Sequence, residues 1–302
     1  MSAYRHGALG LVGTFLTVLL AAASPAAAAS LDYVATYVWS SPQEDPDFGG
    51  FSGLEISDDG NGFHALSDRA FLYWGSIDRD SSGRIRGMNI AGRSHLTDSK
   101  GNPLPPGRTG DSEGLALAQD GTIWVSFEGL DRLARYDTPD QPAKRIRKPP
   151  PEARMRVNSG MEALAIQPDG TLLTMPERSG AEGRPFPVLR YRNDKWDQPF
   201  TISRDGDWLP VGADIGPDGR LYLLERSFHG ILGFAARVRR FDLGPDSISA
   251  GEVLLTTRPL QYDNLEGLSV WSDGQGIRLT MISDDNFLFV QRTELVEYRL
   301  RE

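Results

Sequence analysis

Residues 111–129 read DSEGLALAQDGTIWVSFEG. A glutamate, a glycine and a leucine open an apolar run, Asp120-Gly121 breaks it, and a second strand-like run ends at Glu128. Asp-Gly between two such runs is the strongest short-range hairpin signal. The phrase recurs at Asp59-Gly60, Asp169-Gly170, Asp218-Gly219 and Asp273-Gly274, with steps of 61, 49, 49 and 55 residues between successive copies. Upstream of these pairs stand SGLEIS, EALAIQ, VGADIG and EGLSVW.

Aligned on Asp-Gly, the five copies show three columns. Seven residues before each aspartate stand Ser52, Glu113, Glu162, Val211 and Glu266. The next column is small: Gly53, Gly114, Ala163, Gly212 and Gly267. The third is apolar: Leu54, Leu115, Leu164, Ala213 and Leu268. Further strand-like runs follow each hairpin, among them FLYWGSID, RLARYD, PVLRYR and RVRRFD, and helical periodicity is nowhere sustained.

Repeats of this length leave room for four strands, which predicts an all-β chain folded as a β-propeller of four-stranded blades. The small column follows physically, because innermost strands crowd around a central channel. Five blades are counted; a sixth fits only if the long first interval hides one, and an open two-sheet sandwich is the alternative architecture. The last unit stops one strand short after ELVEYRL, and the N-terminal run LDYVATYVW can supply the missing strand and close the ring. The propeller domain is therefore expected over residues 30–302.

A hairpin returns to the rim from which it started. Asp68, Glu128, Glu177, Glu225 and Asp284-Asp285 end the second strands, so they share a rim with the first column, and the Asp-Gly turns occupy the opposite one. Where the first column lacks a carboxylate, Glu55 and Asp214 stand three residues later; three steps along a regular strand face the other side. Converging carboxylates repel unless neutralised, which points to a hard cation. Oxygen-only ligands favour Ca2+, then Mg2+. The expected metal set is Glu113, Glu162 and Glu266, completed by Glu55 and Asp214. The bland reading is that these acids cap backbone N–H groups. Arg69, Arg178 and Arg226 follow second-strand acids and either pair with the next blade or grip an anionic substrate. Arg178, Arg226 and His229 are the candidate catalytic residues.

Other signals are weak. His64 sits inside a strand. KRIRK at 144–148 reads as a solvated edge strand. Asp284-Asp285-Asn286 reads as a metal loop or a plain turn. There is no Gly-x-Ser-x-Gly elbow and no Gly-rich phosphate or dinucleotide loop.

Residues 1–29 read as a signal peptide: Arg5, an apolar run, then Ala27-Ala28-Ala29. The expected location is periplasmic or secreted, with no later segment apolar and long enough to span a membrane. The whole chain of 302 residues carries −9, and removing one basic residue with the leader leaves −10. That balance argues against nucleic acid as a partner and suits a cation-binding protein. The expected partner is a small anionic or ester substrate, and the expected state is a monomer. Without cysteine there are no disulfides, so stability must come from the core.

FSGLEIS with HALSDR, DSEGLAL with DGTIWVSFEG, GMEALAI with MPERSG, PDGRLYLLERSF with RVRRFDL, and NLEGLSV with SDDNF together resemble the phytase-like family, described by its esterase-like activity. The resemblance runs in order over residues 48–300. It implies a calcium-associated β-propeller that hydrolyses phosphoesters or esters. The leading expectation is a metal-dependent phosphoester hydrolase, with a metal-dependent lactonase or carboxylic esterase, and a non-catalytic calcium-stabilised binding or scaffold propeller, as alternatives.

Overall fold

A computed structural model describes residues 28–41, 45–129, 132–149 and 160–302. The signal-peptide expectation therefore falls almost wholly outside the described residues. Nineteen strands form five sheets set around one axis. Blade 1 is β2 (Phe51–Ile56), β3 (Gly62–Ser67), β4 (Phe71–Arg79) and β5 (Ile85–His95). Blade 2 is β6 (Ser112–Leu117), β7 (Ile123–Phe127) and β8 (Arg132–Tyr136). Blade 3 is β9 (Met161–Ile166), β10 (Leu172–Pro176), β11 (Phe186–Arg192) and β12 (Lys195–Ile202). Blade 4 is β13 (Leu209–Ile215), β14 (Leu221–Phe228), β15 (Phe234–Phe241) and β16 (Glu252–Thr256). Blade 5 is β17 (Asn264–Ser272), β18 (Ile277–Asp284), β19 (Glu294–Arg301) and, from the other end of the chain, β1 (Ser30–Val38).

The ring closes as the sequence suggests. β1 pairs antiparallel with β19 from Ser30–Arg301 to Val38–Glu294. The long first interval holds no sixth blade. It is taken up by β4 and β5, nine and eleven residues long where β7 and β8 have five each. Blade 2 departs from four full strands, for its outer position is reduced to a single bridge between Arg135 and Lys144. The KRIRK segment is thus no regular edge strand. Pro142 and Pro149 bracket it, and neither can donate to a ladder.

Each Asp-Gly turn works through its side chain. The aspartate accepts a hydrogen bond from the backbone N–H two residues on, at 2.9–3.2 Å in all five copies. The glycines carry φ between 73° and 84°, a region closed to most L-residues.

The small column keeps adjacent inner strands close. A Cβ at Gly53 would stand 2.7 Å from Leu115 Cβ, and one at Gly114 would stand 2.6 Å from Leu164 Cβ. One at Gly267 would lie 3.0 Å from Leu54 N. These three contacts are with the next blade round the ring, and the glycine's own blade crowds two of the positions as well, through Ser126 Oγ at Gly114 and Ile282 Cγ2 at Gly267, each at 2.6 Å. Apolar layers fill the space between blades: Val211, Leu224 and Val238 of blade 4 meet Leu268, Leu279 and Met281 of blade 5. At roughly 25 cal/mol per Å² of buried apolar area, such layers replace the absent disulfides as the source of stability. Among the described residues no helix is long and apolar enough to cross a membrane.

Candidate functional site

Every first-column residue sits at a β-bulge. In blade 1 Phe51 pairs with Ser67 and Gly53 with Leu66, leaving Ser52 as the extra residue. The same shift isolates Glu162 in β9, Val211 in β13 and Glu266 in β17. In β6 the ladder jumps from Ser112–Phe127 to Leu115–Val125, which sets Glu113 and Gly114 against one partner residue. A bulge bends the strand and re-aims the side chain. Here it lets a charged residue face the channel mouth while Leu54, Leu115 and their equivalents stay in the core.

The mouth so built is a funnel of about 740 Å³. Blade 1 contributes Asp68, and its bulge residue Ser52 instead donates its hydroxyl to Ser112 O of blade 2 at 2.7 Å. Blade 2 contributes Asp111, Glu113 and Glu128, blade 3 Glu162, Glu177 and Arg178, and blade 5 Glu266 and Asp284. Blade 4 breaks the pattern. Its Glu225 pairs with Pro210 as Pro176 pairs with Met161 in blade 3, one place before the funnel-facing position, and it turns inward, where Arg237 and Arg239 bind it at 2.8 and 2.6 Å. The next residue, Arg226, takes the funnel-facing place. Eight carboxylates thus face three arginines, Arg178, Arg204 and Arg226.

The funnel has two unlike halves. In one, Arg226 is the resident cation. Its Nη1 donates to Glu266 Oε1 and, at 3.1 Å, to Asn264 Oδ1. Its Nη2 donates to Glu177 Oε1 at 3.2 Å. In the other half, one oxygen each from Asp111, Glu113 and Glu128 lies within 4.8 Å of the other two, and among the described residues no arginine pairs with them. Like charges at that distance repel on the order of 3 kcal/mol per pair at an effective dielectric of 20. The titration behaviour follows. Burial, then the charges of Glu162 and Glu266, raises Glu113 well above the usual carboxylate range. Burial and Glu177 do the same to Glu162, against the pull of Arg226. Burial, then Glu266, lifts Asp284 to about 8, and burial lifts Asp68 to about 6 against Arg69.

Oxygens bound to one Ca2+ at 2.3–2.6 Å cannot be more than about 5 Å apart. Asp111, Glu113 and Glu128 meet that limit, offer only oxygen, and have no countercharge among the described residues, so the donor set fits a hard divalent cation.

Glu113, Glu162 and Glu266, expected together, do share this mouth. Glu55 and Asp214, expected to complete the set, do not. They stand three residues further along the strand, about 10 Å on, and line the opposite mouth, a second cavity of about 620 Å³ beside the Asp-Gly turns. There they hold neighbouring blades. Asp214 accepts from Val270 N of blade 5 at 2.6 Å and from its own neighbour Ile215 N at 2.7 Å. Glu55 accepts from Leu117 N of blade 2. In blade 5 Ser269 plays the same part, its Oγ accepting from Ile56 N at 2.9 Å. The capping role weighed for the first column is thus played by this one.

Of the arginines, Arg178 is largely exposed and meets only Glu177, at 3.0 Å. Arg69 lies on the ring of Phe287, 3.2 Å from its centroid, and does not line the funnel. His229 is exposed on the loop after β14 and lies outside the funnel lining. Asp284 lines the funnel, whereas Asp285 is a turn residue that accepts from Gly50 N and Phe287 N. Asp111 was missed as a site residue. Its signal was its place two residues before Glu113, just ahead of the bulge.

The phytase-like family, described as esterase-like activity of phytase, matches residues 46–287. No curated protein matches the chain. The PQQ-bound aldose sugar dehydrogenase of Streptomyces coelicolor has a similar structure, with 13% identity and a TM-score of 0.50 over 92% of this chain and 100% of that one. A gluconolactonase of Xanthomonas campestris is similar at 15% identity and a TM-score of 0.44, over 83% of this chain and 72% of that one. Virginiamycin B lyase of Staphylococcus aureus, in its selenomethionine form, follows at 14% identity and 0.43, over 90% and 74%. Identities this low speak to the fold alone. The in-order repeats, the five blades and a family match spanning most of the chain agree, and the chain belongs to the phytase-like family of β-propellers.

Proposed function

We propose that the chain is an exported, metal-dependent phosphoester hydrolase, with the funnel as its active site. One observation carries the reading: Asp111, Glu113 and Glu128 converge with no countercharge among the described residues, in a funnel that exposed Arg178 also lines. Those three carboxylates would hold the cation, Ca2+ first and Mg2+ second, with Glu162 alongside. A bound cation would supply Lewis-acid polarisation of a phosphoryl oxygen and a more acidic water. Arg178, with Arg204 on the same wall, would grip the anionic group. Arg226 has a different part. It is already committed to Glu177 and Glu266, so it would fix their positions and keep that half of the funnel from competing for the ion. Export rests on the leader-like residues 1–29.

The test is turnover of a phosphomonoester panel with added Ca2+. Glu162→Gln should lower kcat/KM by two orders of magnitude or more, on the scale expected when a group acts at the reacting centre. In chelator its thermal transition should match the parent's. Full activity in the variant, or faster turnover of neutral aryl esters and lactones than of any phosphoester, would overturn the reading.

A further inference from the structure

Ten large hydrophobic side chains are exposed among the described residues, and seven of them stand at the funnel rim: Phe228 at the end of β14, and Ile231, Leu232, Leu260, Leu288, Phe289 and Val290 on three loops. A soluble surface scatters such residues singly; a contiguous apolar patch marks an interaction site. The three loops are tied into one ridge across blades 4 and 5. Leu260 N donates to Phe234 O at 3.2 Å, joining the β16–β17 loop to the loop after β14. Asp263 then accepts from Gln291 Nε2 at 2.7 Å and Arg292 N at 2.8 Å, joining it to the β18–β19 loop. The ridge is held outward at some conformational cost, since Leu260 and Phe287 have φ of 60° and 52°. Ile231 and Phe289, at 98% and 100% exposure, are its crests.

Charge is sorted on the same ridge. Its acids face inward: Asp263 takes the bonds just given, and Asp285 accepts from Gly50 N, Phe287 N and Thr293 Oγ1 at 2.9–3.1 Å. Arg258 and Arg292 face solvent, Arg292 with one nitrogen 3.6 Å from Glu294 Oε2. Apolar crests with flanking arginines suit the interface of a bilayer, where apolar groups enter the acyl boundary and cations meet anionic headgroups. We propose that this ridge docks the protein on an anionic lipid surface, with the funnel opening onto the headgroup layer. Repulsion between the funnel carboxylates and such a surface is screened beyond about 8 Å at physiological salt. The inference does not rest on the hydrolase reading, because docking is read without turnover.

The chain has no cysteine, so a single introduced thiol can be labelled uniquely. In the full chain, Phe289→Cys carrying an NBD fluorophore should blue-shift and brighten several-fold on adding vesicles of phosphatidylcholine and phosphatidylglycerol at 3:1. The same label at Asp58→Cys, on the opposite mouth, should not respond. Ile231→Ser in the labelled Phe289→Cys chain should weaken the apparent vesicle affinity about tenfold, and Arg258→Gln with Arg292→Gln should weaken it on the anionic vesicles only. Silence of the label at position 289, or an equal response at position 58, would overturn the proposal. So would a dimer in light scattering that Ile231→Ser dissociates, since that result would assign the ridge to a second copy of this chain.

Discussion

The two mouths of the ring are both lined by carboxylates, yet they use them in opposite ways. At the turn mouth Asp214 and Glu55 spend their oxygens on backbone N–H groups of the next blade, so each acid holds a junction. At the funnel mouth Asp111, Glu113 and Glu128 face one another. The difference lies in the bulge. It turns the first-column residue out of the ladder and into open space, whereas the residue three places on lies against a neighbouring strand. The same residue type is therefore a structural latch at one end of a strand and a ligand candidate at the other.

The comparison breaks most visibly in cation binding. Glu113→Gln should abolish the rise in Tm produced by Ca2+ and reduce phosphoester turnover by at least about two orders of magnitude. Glu55→Gln, which changes a carboxylate of the other mouth, should keep the calcium-induced rise. Differential scanning calorimetry with and without chelator checks both. If the two variants lost the calcium response together, the ion would not be a property of the funnel.

Stability should break the other way. Asp214→Ala removes the acceptor of two backbone N–H groups, and a buried N–H left without a partner costs about 1–3 kcal/mol. A net loss of about 2 kcal/mol, or roughly 4–8 °C in Tm, is expected, with the calcium response unchanged. Urea unfolding checks it.

The pH dependence sharpens the funnel side. Asp284 is raised from its ordinary value to about 8 and Asp68 to about 6. In that window the folded chain binds more protons than the unfolded chain, so stability is fullest near pH 4 and falls as pH rises through 8. Without metal, Tm should drop by several degrees, about 5 °C, between pH 5 and pH 8. Asp284→Asn should reduce that slope, and saturating Ca2+ should reduce it as well, leaving the part contributed at the other mouth by Asp214, which burial raises to about 7. A Tm that rose over this range would contradict the burial of these acids.

Much of this was legible in the columns. The Asp-Gly repeats fixed the hairpins, the small column fixed the crowding of inner strands, and the short last unit fixed the closure by β1. Glu113, Glu162 and Glu266 were legible as a set because they share a column. The bulge was not, since nothing in EGLA marks which residue leaves the ladder. Grouping Glu55 and Asp214 with the funnel weighs which face they take and leaves out the roughly 10 Å that three residues add along the strand. Nor was the exchange in blade 4 legible. Glu225-Arg226 looks like Glu177-Arg178, but in the ladder Glu225 pairs with Pro210 as Pro176 pairs with Met161, so the glutamate stands one place earlier and Arg226 takes the place of Glu177. Pairing of charges across strands, Glu225 with Arg237 and Arg239, decides that orientation, and it belongs to tertiary structure.

The smallest effect tests the latch column itself. Glu55, Asp214 and Ser269 bind the backbone of blades 2, 5 and 1, each reaching the residue just after the equivalent column position: Leu117, Val270 and Ile56. The column's other two members are Ala116 and Ala165, buried and unable to accept a bond. By the same geometry a hydroxyl at position 116 would face Ile166 N of blade 3, as Ser269 faces Ile56 N. Ala116→Ser adds one oxygen and should stabilise the chain by about 0.5–1 kcal/mol, the net value of one added hydrogen bond. The gain should be independent of Ca2+, because the residue lies away from the funnel. A destabilised Ala116→Ser would mean that the junction between blades 2 and 3 is set differently from the other three. A gain that appeared only with Ca2+ would mean that the two mouths are coupled along the strand.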